Sequence, residues 1–129
     1  MIRSTTLRAG LAATLLALAS SAFALDIKPY SADALAAAQK AGKPVAVHFH
    51  ADWCPTCKLQ EKSLAQLKAE PGLDLTVLVA DYDKEKALRK AMNVRTQSTF
   101  VVFRGEQEKA RVAGETTADK IRTAFKAAL

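Results

Sequence analysis

Apolar runs of strand length alternate with segments of helical periodicity along most of the chain. The runs at 45–51 and 73–80 are almost wholly apolar, which predicts strands buried on both faces of a sheet. The run at 99–103 predicts a further strand, which pairs as a hairpin with 108–113 through the turn at 104–107. The short segment 26–30, which precedes the first helix, is predicted as the first strand.

Four segments between these runs predict helices. Ser31 caps a helix at 32–41 that Gly42 ends, and a second helix runs from Pro55 to about residue 69 before Pro71 and Gly72. A short helix is predicted at 84–92. Thr116 or Thr117 then caps a last helix that continues to the C-terminus. Its apolar face is formed by Ile121, Phe125 and Leu129.

The order of these elements predicts an α/β fold. The succession β-α-β-α-β-α-β-β-α requires crossover helices on both faces of a central mixed β-sheet, followed by a C-terminal hairpin and helix. Repeats and linkers are absent from the sequence, so the segment 25–129 is predicted to be one domain.

The N-terminal segment has a different pattern. Residues 1–24 begin with Arg3 and Arg8, continue with an apolar run at 11–19, and end with Ala22 and Ala24 around Phe23. A basic start, a short apolar run and an Ala-x-Ala site are typical of a secretory signal peptide. We therefore expect cleavage after Ala24, export to the periplasm, and no stable membrane anchor in the mature protein.

Composition and charge exclude several classes of protein. Half of the 129 residues are hydrophobic and 25% are charged, as in globular domains rather than disordered chains. The net charge is +6, and removal of a leader with two arginines and no acid would lower it to +4. Basic and acidic residues are interspersed, so the sequence does not predict a nucleic-acid-binding surface.

The chain has only two cysteines, Cys54 and Cys57. Two are too few for a disulfide-rich scaffold or a four-thiolate zinc site. They could form a structural bridge, a redox couple or half of a metal site.

The sequence Cys54-Pro55-Thr56-Cys57 lies where a buried strand gives way to a helix. Proline suits the first position of a helix because its missing N–H would have no partner there. The positive end of the helix dipole favours the thiolate form of Cys54. We therefore predict Cys54 as the nucleophile and Cys57 as the resolving thiol, with a Cys54–Cys57 disulfide as the oxidised state.

The segment from His50 to Lys58, His-Ala-Asp-Trp-Cys-Pro-Thr-Cys-Lys, resembles the active-site segment of thioredoxin-fold proteins. Within that fold the chain most resembles the periplasmic C-terminal domain of the membrane reductase DsbD, through Cys57-Lys58 with Glu61, Asn93-Val94 and the segment 110–114. The resemblance implies a thioredoxin fold and thiol–disulfide exchange with protein disulfides, without a bound cofactor. It also implies reduction or interchange rather than oxidation, with electrons from a membrane thiol donor. We expect the protein to be a monomer.

The residue opposite the cysteines departs from the family pattern. Thioredoxin-fold proteins usually have a cis-proline there, and this sequence has Ser98 after Gln97. Two alternatives follow: a trans Gln97–Ser98 bond with a reshaped loop, or a strained cis bond. The Ser98 hydroxyl is a candidate donor to a thiolate or a ligand.

A second departure is His48, where thioredoxins have a buried Asp proposed to accept the proton of the resolving thiol. A histidine can accept a proton near neutral pH. The alternative is a neutral, buried His48 bonded to a backbone carbonyl. His50 is expected to lie on the same face of the strand, with a packing role.

These residues also allow a different function. His48, His50, Cys54 and Cys57 together would form a copper or zinc site with two nitrogen and two sulfur ligands, which predicts metal binding as the alternative to thiol exchange. Among the neighbouring residues, Trp53 is expected to shield the disulfide and contact substrates. Four charged residues are interpreted as surface or helix-end charges: Glu61, Lys62, Asp81 and Asp83.

Overall fold

The computed structural model describes residues 24–129 of the chain. The predicted signal peptide lies outside this part except for Ala24, so it stays a prediction. The elements, in chain order, are β1 (Asp26–Pro29), α1 (Ala32–Lys40), β2 (Pro44–His50), α2 (Pro55–Lys68), β3 (Thr76–Asp81), α3 (Lys86–Ala91), β4 (Thr99–Arg104), β5 (Gln107–Ala113) and α4 (Ala118–Lys126).

The five strands form one mixed sheet in the order β1-β3-β2-β4-β5. Strands β1 and β2 both run parallel to β3, whereas β4 is antiparallel to β2 and to β5. The middle five residues of β2 are buried, as expected for a strand covered on both faces. The strand that leads to the cysteines is thus held at the centre of the sheet.

Helices cover both faces of the sheet, which confirms the predicted fold class. On one face, Leu64 and Leu67 of α2 pack with Ile121 and Phe125 of α4 against strand residues that include Phe100. On the other face, the core contains Leu35 of α1, Val47 of β2 and Val101 of β4, and Leu88 of α3 packs against it. Within residues 24–129, no helix has both the length and the apolar character needed to cross a bilayer.

Three predicted boundaries are wrong. The strand predicted at 73–80 begins only at Thr76, because Leu75 N–H donates to Leu73 O in a tight turn, although both leucines are buried. The short helix predicted at 84–92 begins at Lys86, since the Asp81 carboxylate accepts from backbone N–H groups in the preceding turn.

The third error concerns the end of α4. The helix ends at Lys126, and Leu129 beyond it is 44% exposed. Ala128 is buried in its place, while Ile121 and Phe125 do form the buried face as predicted. Of the two candidate caps, Thr117 is the one that accepts from the Lys120 N–H.

Candidate active site

Cys54 is the N-cap residue of α2. Its backbone is extended, with φ −93° and ψ 111°, and Pro55 occupies the first turn of the helix. The Cys54 Sγ accepts a hydrogen bond of 3.1 Å from the Cys57 backbone N–H. A sulfur in this position receives a donor at the positive end of the helix, which is the environment that favours a thiolate.

Both cysteines are free thiols, and both are buried. A single oxygen, Ser98 Oγ, lies 3.1 Å from Cys54 Sγ and 3.2 Å from Cys57 Sγ. The loop before β4 therefore places a hydroxyl between the two sulfurs. This is the candidate donor predicted at Ser98, and the structure brings it to both thiols.

The pKa values of the two thiols are shifted in opposite directions. Burial by itself would raise the pKa of Cys54, but hydrogen bonds from the Cys57 thiol, the Ser98 hydroxyl and the Cys57 N–H together lower that pKa below its ordinary value. The Gln97 side chain acts in the same direction. Burial, and then the hydrogen bond to the Cys54 sulfur, raises the pKa of Cys57. Cys54 is thus the thiol that ionises first, and Cys57 keeps its proton.

The backbone at Ser98 adopts the left-handed conformation, with φ +62°, and no peptide bond in residues 24–129 is cis. The Gln97–Ser98 bond is therefore trans, which is the first of the two sequence alternatives. Ser98 N–H donates to Phe49 O at 2.8 Å, and Gly114 N–H donates to Ser98 O at 2.9 Å. Neighbouring strand ends thus hold the loop in a conformation that is uncommon for a residue with a side chain.

Gln60 is a site residue that the sequence did not reveal. It lies three residues after Cys57 on α2 and is fully buried. Its amide nitrogen donates to Ser98 O at 2.9 Å and to Glu115 O at 2.8 Å. The signal was its spacing, because residues three apart share a face of a helix.

His48 is completely buried and stacks on Phe100, with ring centroids 4.1 Å apart. Its Nε2 lies 2.8 Å from Gln60 Oε1, so Nε2 carries the proton and donates. Burial lowers the pKa of His48 to about 4, against the smaller opposing effect of the Gln60 bond. His48 is therefore neutral near pH 7 and is bonded to a side-chain amide instead of the expected backbone carbonyl. It makes no hydrogen bond to either thiol in the part of the chain described, so no contact supports a role as proton acceptor.

His50 lies next to a cavity of about 340 Å³ that also borders His48 and Leu64. Its Nε2 is 2.7 Å from Glu61 Oε1, at an ion-pair distance but without hydrogen-bond geometry. Glu61, interpreted from the sequence as a surface charge, thus contacts a residue beside the site.

The proposed metal ligands are not brought together. Across residues 24–129, no group of three or more His, Cys, Asp or Glu side chains is close enough to hold a metal ion. His48 Nε2 is already occupied by Gln60, and the two sulfurs converge on the Ser98 hydroxyl. The geometry therefore favours thiol chemistry over the metal alternative.

Trp53 is exposed beside Cys54, with 59% of its surface accessible. Its Nε1 donates to Asp83 Oδ2 at 2.7 Å, so Asp83 holds the indole in place and is more than the surface charge expected from the sequence.

Thr56 is half-buried in the first turn of α2, and within the described residues its side chain makes no hydrogen bond.

The sequence of the chain is similar to those of thioredoxins. The sequence model of the thioredoxin family matches residues 30–127. An H-type thioredoxin of Brassica campestris is 31% identical over 80 residues, which are 62% of this chain and 64% of that protein. The thioredoxin of Mycobacterium tuberculosis H37Rv is 33% identical over 72 residues, covering 56% of this chain and 62% of its own. The chain thus spans less than two thirds of these curated relatives.

Solved structures give similar results. Trxlp from Edwardsiella tarda EIB202 superposes with a TM-score of 0.72 at 37% identity, over 78% of this chain and 98% of that one. The thioredoxin of Malassezia sympodialis superposes with a TM-score of 0.67 at 23% identity, over 80% and 91% of the two chains. The first likeness extends to sequence, whereas the second concerns the fold alone.

Proposed function

Because the chain belongs to the thioredoxin family, we propose that it is a thiol–disulfide oxidoreductase that exchanges electrons with protein disulfides through Cys54 and Cys57. The observation that carries this proposal is the position of Cys54 Sγ at the start of α2, 3.1 Å from both the Cys57 backbone nitrogen and Ser98 Oγ. Hydrogen bonds outweigh burial to lower the pKa of Cys54, while burial raises that of Cys57. A couple needs this division between an attacking and a resolving thiol.

The reaction proceeds in two exchanges. The Cys54 thiolate attacks one sulfur of the substrate disulfide, the substrate S–S bond breaks, and the departing sulfur leaves as a thiolate that takes up a proton. Cys57 then loses its proton and attacks Cys54 Sγ, which breaks the mixed disulfide and releases the second substrate thiol. The substrate gains two electrons and two protons, and the protein ends with a Cys54–Cys57 disulfide.

Residues around the two cysteines stabilise the reacting sulfur and offer a surface to the substrate. Ser98 Oγ and the Cys57 N–H donate to Cys54 Sγ, which stabilises that sulfur both as attacking thiolate and as leaving group. The exposed Trp53 indole, fixed by Asp83, offers an apolar surface next to the nucleophile for a protein substrate.

The experiment is cysteine-dependent reduction of insulin with dithiothreitol as electron source. The wild-type protein should accelerate precipitation of the reduced insulin chains. Cys54→Ser should abolish the acceleration, and Lys58→Ala, which changes an exposed residue beside the couple, should keep it. Equal rates with and without the wild-type protein would contradict the proposed activity.

We further propose that the protein works in the periplasm as a reductase or interchange catalyst. The support is the basic, apolar and Ala-x-Ala pattern of residues 1–24, together with the resemblance of a few sequence motifs to those of the DsbD domain. Recycling would then need a membrane dithiol that transfers two electrons to the Cys54–Cys57 disulfide.

Two measurements test this finer proposal. N-terminal sequencing of protein from the periplasmic fraction should begin at Leu25. An intact Met1 would contradict cleavage after Ala24, and absence of the protein from that fraction would contradict export. Equilibration of the couple with glutathione should give a reducing potential. A value near or above about −130 mV, in the range of strong oxidants, would contradict the reductase direction.

A further inference from the structure

Gln60 connects three separate parts of the fold through one side chain. Its Oε1 accepts from His48 on β2, and its amide nitrogen donates to Ser98 O and Glu115 O. All three distances lie between 2.8 and 2.9 Å, and the residue is 0% exposed. A buried amide whose oxygen and nitrogen are both hydrogen-bonded holds its partners at fixed separations.

The partner that matters for chemistry is Ser98. Its φ of +62° is a conformation that glycine adopts freely and other residues rarely do, so surrounding contacts must hold it. Ser98 O accepts from Gln60 and from Gly114 N–H, and Ser98 N–H donates to Phe49 O. Of these three hydrogen bonds to the Ser98 backbone, the one from Gln60 is the only one that a side chain makes.

The orientation of the Ser98 backbone decides where its hydroxyl lies. With the backbone as observed, Oγ is within 3.2 Å of both sulfurs. Rotation of the Ser98 peptide away from Gln60 would carry Cα and Oγ with it, and a hydrogen bond weakens steeply when its angle or distance departs from the optimum. A displaced hydroxyl would leave the thiolate with one donor fewer.

We propose that Gln60 is a positioning residue that holds Ser98 Oγ between Cys54 and Cys57. Its side chain makes no hydrogen bond to either sulfur within the described residues, and it acts through Ser98. The proposal rests on the proposed function only in taking Cys54 as the attacking thiol.

The test is the pH profile of Cys54 alkylation by iodoacetamide in the reduced full-length protein. Gln60→Met keeps the length of the side chain and removes its hydrogen bonds. We expect Gln60→Met and Ser98→Ala each to raise the pKa of Cys54 by about one unit, which leaves about tenfold less thiolate at a pH well below that pKa. In the Ser98→Ala background, Gln60→Met should add no further shift, because the hydroxyl that it positions is gone.

Ser63 provides a matched control on the same helix. Its hydroxyl donates to Thr116 O, next to the carbonyl of Glu115 that Gln60 contacts, but it has no bond to Ser98. Ser63→Ala should lower stability by a similar mechanism and leave the alkylation profile unchanged. A purely structural role for Gln60 would make the two variants behave alike.

Two results would overturn the proposal: an unchanged profile in Gln60→Met, or a shift of equal size with and without the Ser98 hydroxyl. If Gln60→Met does not fold, Gln60→Asn replaces it, because the shorter amide cannot reach both β2 and Ser98 from α2. The same outcomes then apply. Thiol titration needs no turnover, so failure of insulin reduction by the wild type would refute the proposed function without touching this result.

Discussion

The Trp53 indole donates a 2.7 Å hydrogen bond to Asp83 across thirty positions of sequence. Trp53 follows the strand β2 and Asp83 follows the adjacent parallel strand β3, so both lie at the same edge of the sheet. This contact restrains an exposed aromatic ring directly beside Cys54. The chain has a single tryptophan, which makes the contact observable by fluorescence.

We expect Asp83→Ala to free the indole, so the anisotropy of Trp53 fluorescence should fall. The rate of insulin reduction should fall by no more than about fivefold, because the loss of one hydrogen bond costs about 1 kcal/mol. Asp83→Asn keeps an acceptor oxygen and should retain most of both signals. If Asp83→Ala leaves the anisotropy as in the wild type, the hydrogen bond does not restrain the ring.

Ser98→Pro should destabilise the protein instead of restoring a family feature. Proline fixes φ near −65° and has no N–H, whereas Ser98 has φ +62° and donates to Phe49 O. We expect a loss of about 3 kcal/mol in the free energy of unfolding, measured with urea.

Ser98→Gly is the control for that prediction, because glycine accepts the left-handed backbone and should unfold at a urea concentration similar to that of the wild type. A Ser98→Pro variant as stable as the wild type would mean that the loop readily takes another conformation. The trans, left-handed loop would then not be required by the fold.

Acid should weaken the fold through His48. Its pKa is lowered from 6.5 to about 4 in the folded protein, so between these values the unfolded chain binds the proton and the folded chain does not. The free energy of unfolding therefore falls as pH falls from about 6.5 to about 4, by about 3 kcal/mol in total from this group.

His48→Gln removes that titration while keeping a polar side chain opposite Gln60. Urea unfolding of the wild type and of this variant should give curves of stability against pH that converge as the solution is acidified. Parallel curves across that range would show that His48 is not held neutral by burial.

The sequence predicted the order of strands and helices because apolar runs and caps are local signals. It also located the couple, since Cys-x-x-Cys at a strand-to-helix junction is itself local. It did not reveal Gln60, whose role depends on Ser98, thirty-eight positions further along. Nor did it show that Leu73 and Leu75 leave the strand, since buried loops and buried strands have the same apolar composition. The contact of the candidate site that the sequence missed therefore joins distant segments, whereas the missed strand boundary is local.

In the proposed reaction Cys54 attacks and Cys57 resolves, and capture of a mixed disulfide distinguishes the roles of the two thiols. Cys57→Ser and Cys54→Ser variants are each mixed with an oxidised protein substrate near neutral pH, and the adducts are identified by mass spectrometry. We expect a stable adduct at Cys54 in Cys57→Ser and almost none in Cys54→Ser, because burial raises the pKa of Cys57. An adduct that forms equally fast on Cys57, or only there, would contradict the assignment of Cys54 as the attacking thiol.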